Sequence, residues 1–316
     1  MTRSYAVIGG AGFIGSHFVT ELLKKQNNVV VIDNFCSGSM AHLEKHLDDK
    51  ALTIKKMDVE NTEDLVLALR GIETVIHLAS NPDIAKAATD PRVDFLQGTV
   101  LTESVVESAR RSGVKTILYA SGSGVYGDAG ETLLTENSQV NPISTYGASK
   151  LAGEALLASY AYMFGIRSIA FRFANVVGPM QTHGVGYDFI RRLRLNPNTL
   201  QILGNGKQSK SYVHVSDVVS AVLGASEKTM EMFDCFNIST KDTLSVDDIA
   251  QIVFEVLGIN PKDIDIQYTG GDRGWKADVP IVRLDASKIE NMGWNPKFTC
   301  REAMKDAIEK MFDEII

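Results

Sequence analysis

Seven residues, Gly9-Gly10-Ala11-Gly12-Phe13-Ile14-Gly15, constrain the fold more than any others. They follow a short apolar, partly β-branched run, Tyr5-Ala6-Val7-Ile8, and open a helical pattern through Phe18, Leu22 and Leu23. A strand, a glycine turn and a helix in that order predict a right-handed crossover to a parallel neighbouring strand. Gly9 permits the tight turn, Gly12 lets backbone approach a ligand, and Gly15 lets the helix pack on the strand. The helix N-terminus then faces whatever occupies the turn, and its free N–H groups favour an anion such as a pyrophosphate.

A second buried run, Val29-Val30-Val31-Ile32-Asp33, ends in a carboxylate about 20 residues further on, where a ribose 2'-hydroxyl is bound in dinucleotide sites. Asn34, Phe35 and Cys36 come next, so no arginine stands ready for a 2'-phosphate. Asp33 therefore argues for NAD over NADP. Further strands are predicted near 52–57, 74–78, 116–120 and 167–171, alternating with helical stretches. The fold class this implies is α/β, a doubly wound parallel Rossmann sheet. Ligands of such sheets sit at the carboxyl ends of the strands, where the glycine turn, Asp33, Asp58, Ser121 and Asn175 all fall.

The second half is less regular, with helices predicted to about 195 and near 216–227, 246–257 and 301–312. With 316 residues the chain is long enough for roughly two domains of about 150 residues. We expect an NAD-binding domain over 1–175 and a smaller α/β substrate-binding lobe over 176–316, with an interleaved boundary and a cleft between the two. A net charge of -7 without a dense basic cluster gives no footprint for nucleic acid or an anionic membrane. No apolar stretch approaches the ~20 residues of a membrane span and no leader is evident, so a cytoplasmic location is expected. Three scattered cysteines and six histidines without paired ligand spacing predict neither disulfides nor a metal.

Tyr146 and Lys150 lie four apart in Ser144-Thr145-Tyr146-Gly147-Ala148-Ser149-Lys150, on one face of a helix. A phenol has an ordinary pKa of about 10, and an adjacent ammonium favours its ionised form. The pair is expected to act as a base. A ring packed beside a solvated amine would show the same spacing, and it is the glycine turn that favours chemistry.

These segments together resemble the extended short-chain dehydrogenase/reductase family, in particular its nucleotide-sugar epimerases and dehydratases. The likeness also rests on His77-Leu78-Ala79-Ser80, Ser121-Gly122-Ser123-Gly124-Val125-Tyr126-Gly127, Arg172 to Pro179, Tyr212 to Val218 and Asp285 to Lys288, and it spans nearly the whole chain. The resemblance implies that NAD is held by Gly9, Gly12, Phe13, Ile14 and Gly15, by Asp33 and Asn34, by Asp58 and Val59, by Leu78 and Ala79, and by Tyr146 and Lys150. It implies a nucleotide-diphosphate sugar as substrate, bound by Asn175, Lys210, Arg273 and Tyr146. Tyr146 is expected to take the proton of the sugar 4-hydroxyl, and Lys150 to hold the nicotinamide ribose and lower the Tyr146 pKa. A homodimer pairing helices near 99–111 and 145–164 is implied as well.

Departures from the family pattern sharpen the reaction class. The usual catalytic serine or threonine, three places before Val125, is Gly122, so the hydroxyl is expected from Ser121, with Ser123 as second choice. Where relatives that eliminate water carry Asp-Glu, this chain has Ser123-Gly124, which favours a UDP-glucose-type 4-epimerase. A nucleotide-sugar 4-dehydrogenase or 4,6-dehydratase, or a non-catalytic NAD-binding regulator, stays open as an alternative. On the substrate side the usual Arg-Asp before Tyr212 is Lys210-Ser211, and Trp275 replaces an arginine three places before Asp278. Arg191, Arg192 and Arg194 are further diphosphate candidates, and Val282 replaces a bulkier tyrosine, leaving room for a larger sugar.

Overall fold

The computed structural model describes residues 2–81, 84–275 and 277–315. Seven strands, β1 (Ser4–Ile8), β2 (Asn28–Asp33), β3 (Leu52–Lys56), β4 (Thr74–His77), β5 (Thr116–Gly122), β6 (Arg167–Phe173) and β7 (Phe233–Ile238), form one sheet in the order β7-β6-β5-β4-β1-β2-β3. Pairing is parallel between β1 and β2, with Ile8 opposite Ile32, and between β1 and β4, with Ile8 opposite His77. It is parallel again between β4 and β5, where His77 stands opposite Tyr119. The chain thus winds outward from β1 in two directions, and the order reverses between β1 and β4, the switch point at which doubly wound sheets bind ligands.

The strand sequences explain this arrangement. Every residue of β4 and all but the first of β1 are buried, which requires the continuous apolar runs of a sheet covered on both faces. Helix α1 (Phe13–Lys24) buries Phe13, Phe18, Val19 and Leu22. Helices α2 (Thr62–Ala68) and α3 (Leu101–Ser112) contribute Leu65, Val105, Val106 and Ala109 to a core shared with Ile8, Ile32, Val75 and Ile117. The six expected strands are present, and β7 is an addition. Its sequence, FDCFNI, breaks the apolar run with Asp234 and Asn237, residue types depleted in strands, and pairing beside β6 overrides that weak local preference.

Helix α4 (Thr145–Phe164) carries the Tyr146–Lys150 pair. Ser144 caps it, its hydroxyl accepting a 3.0 Å hydrogen bond from the Gly147 N–H, and Gly165 ends it in a left-handed conformation. Just before α3, residues Phe95–Val100 wind as a π-helix that lies against α4. A Cβ on Gly98 would come within 2.5 Å of the Ser149 hydroxyl, so only glycine permits that approach.

The chain divides into two compact units. The first comprises residues 1–125, 144–172 and 222–236, and the second 126–143, 173–221 and 237–316. In the second, α5 (Val185–Leu195), α7 (Val246–Leu257) and α8 (Cys300–Ile315) enclose a separate core of Phe189, Ile190, Ile249, Val253, Met304 and Ile308, while α6 (Val215–Lys228) supplies residues to both units. Among the described residues no helix is long and apolar enough to cross a membrane, and no three His, Cys, Asp or Glu side chains are grouped to hold a metal ion.

Candidate active site

The glycine turn closes on itself between β1 and α1. The Gly9 N–H donates to the Ile32 carbonyl at 2.8 Å, and Gly9 adopts φ +79 with its α-carbon pressed on the exit of β4. An added Cβ would lie 2.9 Å from the Ala79 nitrogen. Gly15 is tighter still, since a Cβ there would fall 2.1 Å from the Gly9 carbonyl oxygen. Gly12 differs from both, because its Cβ would meet nothing nearer than that same oxygen at 3.3 Å. No side chain caps α1 and no acidic residue occupies its first turn, so a positive helix end faces the space beside Gly12.

Asp33 stands at the end of β2, 8% exposed, and both carboxylate oxygens accept backbone hydrogen bonds, from Ala11 at 2.9 Å and from Phe35 at 2.8 Å. Each oxygen retains a further lone pair. Asn34 and Asp58 are exposed beside one another, with 3.4 Å between the amide and the carboxylate, and Val59 is buried in the core. Leu78 and Ala79 both donate to the Ile8 carbonyl, at 3.0 and 3.2 Å, and lie half-buried at the exit of β4.

Lys150 is 3% exposed and its ammonium donates to the Ala120 carbonyl at 2.8 Å, between the rings of Tyr119 and Tyr146, whose centres lie 5.2 and 5.5 Å away. Burial lowers its pKa to about 8, with the Asp94 carboxylate acting in the opposite direction. Tyr146 moves the other way: burial raises its phenol to about 12, a hydrogen bond from Ser80 pulls it down, and Asp94 pushes it up. The expected lowering of the Tyr146 pKa by Lys150 is therefore corrected. Burial of the phenol is the largest cause of the rise.

The candidate hydroxyls part company. Ser121 is 4% exposed and donates to Glu154 at 2.5 Å, and the same carboxylate takes two bonds from Arg172, at 3.0 and 2.7 Å. Its hydroxyl belongs to this buried network, one helical turn beyond Lys150. Ser123 lies half-buried in a short 3-10 turn, Ser123–Val125.

Against this geometry the comparisons are decisive. The model of the NAD dependent epimerase/dehydratase family matches residues 5–239, well over half of the chain. The chain belongs to that family. A putative UDP-glucose 4-epimerase of Methanocaldococcus jannaschii is 30% identical, over 96% of this chain and 97% of that one. A crystal structure of a UDP-galactose 4-epimerase is 39% identical and superposes with a TM-score of 0.88 over 99% of this chain and all of that one. A UDP-N-acetylglucosamine 4-epimerase from Methanobrevibacter ruminantium M1, solved with UDP-N-acetylmuramic acid, is 26% identical with the same TM-score over 99% of each chain. The cofactor of this epimerase/dehydratase fold is NAD. The open approach at Gly12, the free end of α1 and the carboxylate of Asp33 fit it.

The substrate-side candidates other than Tyr146 lie in the second unit. Asn175, exposed, hydrogen-bonds the buried Tyr212 side chain. Lys210 pairs with Asp278 at 2.7 Å, and Arg273 pairs with Asp128 at 2.6 Å while also donating to the Asp278 carbonyl. Both expected diphosphate cations are thus matched by carboxylates. Arg192 donates to the Gln201 carbonyl, whereas Arg191 and Arg194 are exposed beside the rings of Tyr187 and Phe312. Val282 is buried, 7% exposed.

Two residues beside the Tyr146–Lys150 pair, Asp94 and Ser80, carry no assignment from sequence. Asp94, 1% exposed, accepts from the Asn81 amide at 2.8 Å and from the Thr145 hydroxyl at 2.7 Å, and Ser80 bonds Tyr146. Ser80 carried a signal, since it ends the His77-Leu78-Ala79-Ser80 run at a strand's carboxyl end, where ligand-facing groups collect. Asp94 carried none. It lies in a stretch without a motif, and only the fold brings it to α4.

Proposed function

We propose that this protein is an NAD-dependent nucleotide-sugar 4-epimerase acting on a UDP-hexose of the UDP-glucose and UDP-galactose type through a transient 4-keto sugar. The observation that carries the reading is the buried Tyr146–Lys150 pair at the carboxyl ends of β4 and β5, beside the glycine turn. NAD, when bound, supplies the hydride acceptor and donor and a positive ring that favours the phenolate. Tyr146 takes the proton of the sugar 4-hydroxyl as the carbon is oxidised and returns it when the opposite face is reduced. Lys150, anchored on Ala120, orients the phenol and the nicotinamide ribose. Ser123 and Gly124 offer no carboxylate for eliminating water, and the buried Asp94 carboxylate is engaged by Asn81 and Thr145. An epimerase, which needs one acid-base group only, fits that set.

In the same reading the second unit binds the sugar nucleotide. Lys210 and Arg273 turn from Asp278 and Asp128 to the diphosphate, and Asn175 turns to the sugar. Val282 leaves room for a substituent larger than a hydroxyl. Phe95, Tyr162 and Met163 are exposed on the π-helical segment that leads into α3 and on α4, at 54, 73 and 72%, and support a homodimer paired through α3 and α4, which light scattering would test; a cytoplasmic location belongs to the same reading.

Proton NMR of the protein with UDP-, GDP- and dTDP-sugars in deuterated water tests the reaction. Interconversion of 4-epimers without solvent deuterium is the expected outcome. A 4-keto product carrying deuterium would replace the epimerase by an enolising enzyme.

A further inference from the structure

The parallel register of β4 and β5 sets His77 opposite Tyr119. Ser80 lies three residues past His77, where the chain leaves β4, and Gly122, which has no side chain, lies three past Tyr119 at the end of β5. Ser80 is half-buried and hydrogen-bonds the Tyr146 side chain. Its neighbour Asn81 is tied through Asp94 to Thr145, the residue before Tyr146. Two consecutive residues leaving β4 are therefore linked to two consecutive residues opening α4, one directly and one through a buried carboxylate. Ser121, the nearest alternative in sequence, donates its hydrogen bond to Glu154.

We propose that Ser80 is a catalytic residue, the hydroxyl partner of Tyr146 supplied by β4 in place of the side chain that Gly122 lacks. This rests on the reaction proposed above. A hydroxyl suits the role because it has one proton and two lone pairs, so by turning it can donate to a phenolate and accept from a phenol. When Tyr146 gives its proton back to the sugar oxygen, Ser80 donates to the oxygen left charged. When Tyr146 holds the proton, Ser80 accepts or bonds the sugar oxygen itself. No proton is gained or lost by Ser80 in a full cycle.

The test compares wild type with Ser80→Ala and Ser80→Thr. Turnover of UDP-galactose is followed first, with NAD binding measured by fluorescence quenching as a check on folding. The phenol of Tyr146 is then titrated by ultraviolet difference against Tyr146→Phe. Ser80→Ala is expected to lose about 100-fold in kcat with KM and NAD affinity little changed, to titrate at higher pH, and to be rescued by Ser80→Thr. An unchanged kcat and titration in Ser80→Ala, or a comparable loss in Ser123→Ala alone, would overturn the proposal. The titration needs no sugar. If wild type leaves UDP-galactose untouched while Ser80→Ala still shifts the phenol, the proposed substrate fails and the Ser80–Tyr146 partnership stands.

Discussion

The Lys150 ammonium donates 2.8 Å to the Ala120 carbonyl, a bond that joins α4 to β5 at the strand's carboxyl end. It holds a cation almost out of water, 5.5 Å from the centre of the Tyr146 ring. Position is thereby bought with an unfavourable burial, and the effect should be measurable in both stability and catalysis.

Lys150→Met is expected to lose turnover yet stand at least as firm at neutral pH. Burial lowers the folded pKa from 10.5 to about 8, so the folded state gives up its proton before the unfolded state does. The penalty is complete below about pH 8 and is relieved as pH rises toward 10.5. Urea midpoints should rise across that window in wild type relative to Lys150→Met, and equal slopes would show that the ammonium is not penalised.

Tyr146→Phe removes the proton carrier but leaves the ring. Turnover should fall by roughly 1,000-fold while NAD affinity and thermal midpoint stay close to wild type. A loss of under tenfold would exclude Tyr146 as the base.

Gly12 and Gly15 should respond oppositely to alanine. A methyl on Gly12 meets only the Gly9 carbonyl at 3.3 Å, so Gly12→Ala should fold and lose NAD affinity. A methyl on Gly15 would lie 2.1 Å from that oxygen, and Gly15→Ala should lower the melting temperature before any ligand is added. Calorimetry with and without NAD separates the two.

Glu154→Ala strips the Arg172 guanidinium of a partner in a pair whose side chains are only 7% and 6% exposed. The expected cost is about 3–5 kcal/mol in chemical denaturation, because a buried charge is left without its counterion. Replacing Arg172 as well should recover part of the loss.

His77 is fully buried between Thr102 and Tyr119, its Nε2 3.1 Å from the Thr102 hydroxyl, and burial lowers its pKa from 6.5 to about 3, with Lys150 adding to the shift. The unfolded chain binds the proton first. Stability is therefore full above pH 6.5 and falls as the pH drops toward 3, with a limiting slope of about 1.4 kcal/mol per pH unit from this residue. His77→Asn should flatten that part of the profile, as read from denaturation midpoints.

Much of the fold was legible because it depends on short-range rules. Tyr5 to Gly15 and Val29 to Asp33 each combine a buried strand with a residue type that its turn requires, and both lie where they were read. Long-range partnerships were harder. Ser121 reads in sequence as the catalytic hydroxyl, and only the fold brings Glu154 and Arg172 to it, while nothing around Asp94 announces the helix that it ties down. The Tyr146–Lys150 spacing gives proximity correctly, but the net shift of the Tyr146 phenol is set first by burial, which four-residue spacing does not encode. Phe233–Ile238 was missed for a related reason, since its polar interruptions are tolerated only beside β6.

The position of that seventh strand bears on how the protein is made. β6 ends at Phe173 and β7 begins at Phe233, so a nascent chain exposes the outer edge of β6 until the intervening residues have been translated. At about 5–20 residues per second the wait lasts several seconds, long compared with local folding. A bare edge is a template for foreign strands. The ribosome-bound intermediate, more than the finished enzyme, is where this chain is most exposed to misassembly, and a synonymous change that slows translation between these strands would lengthen that exposure.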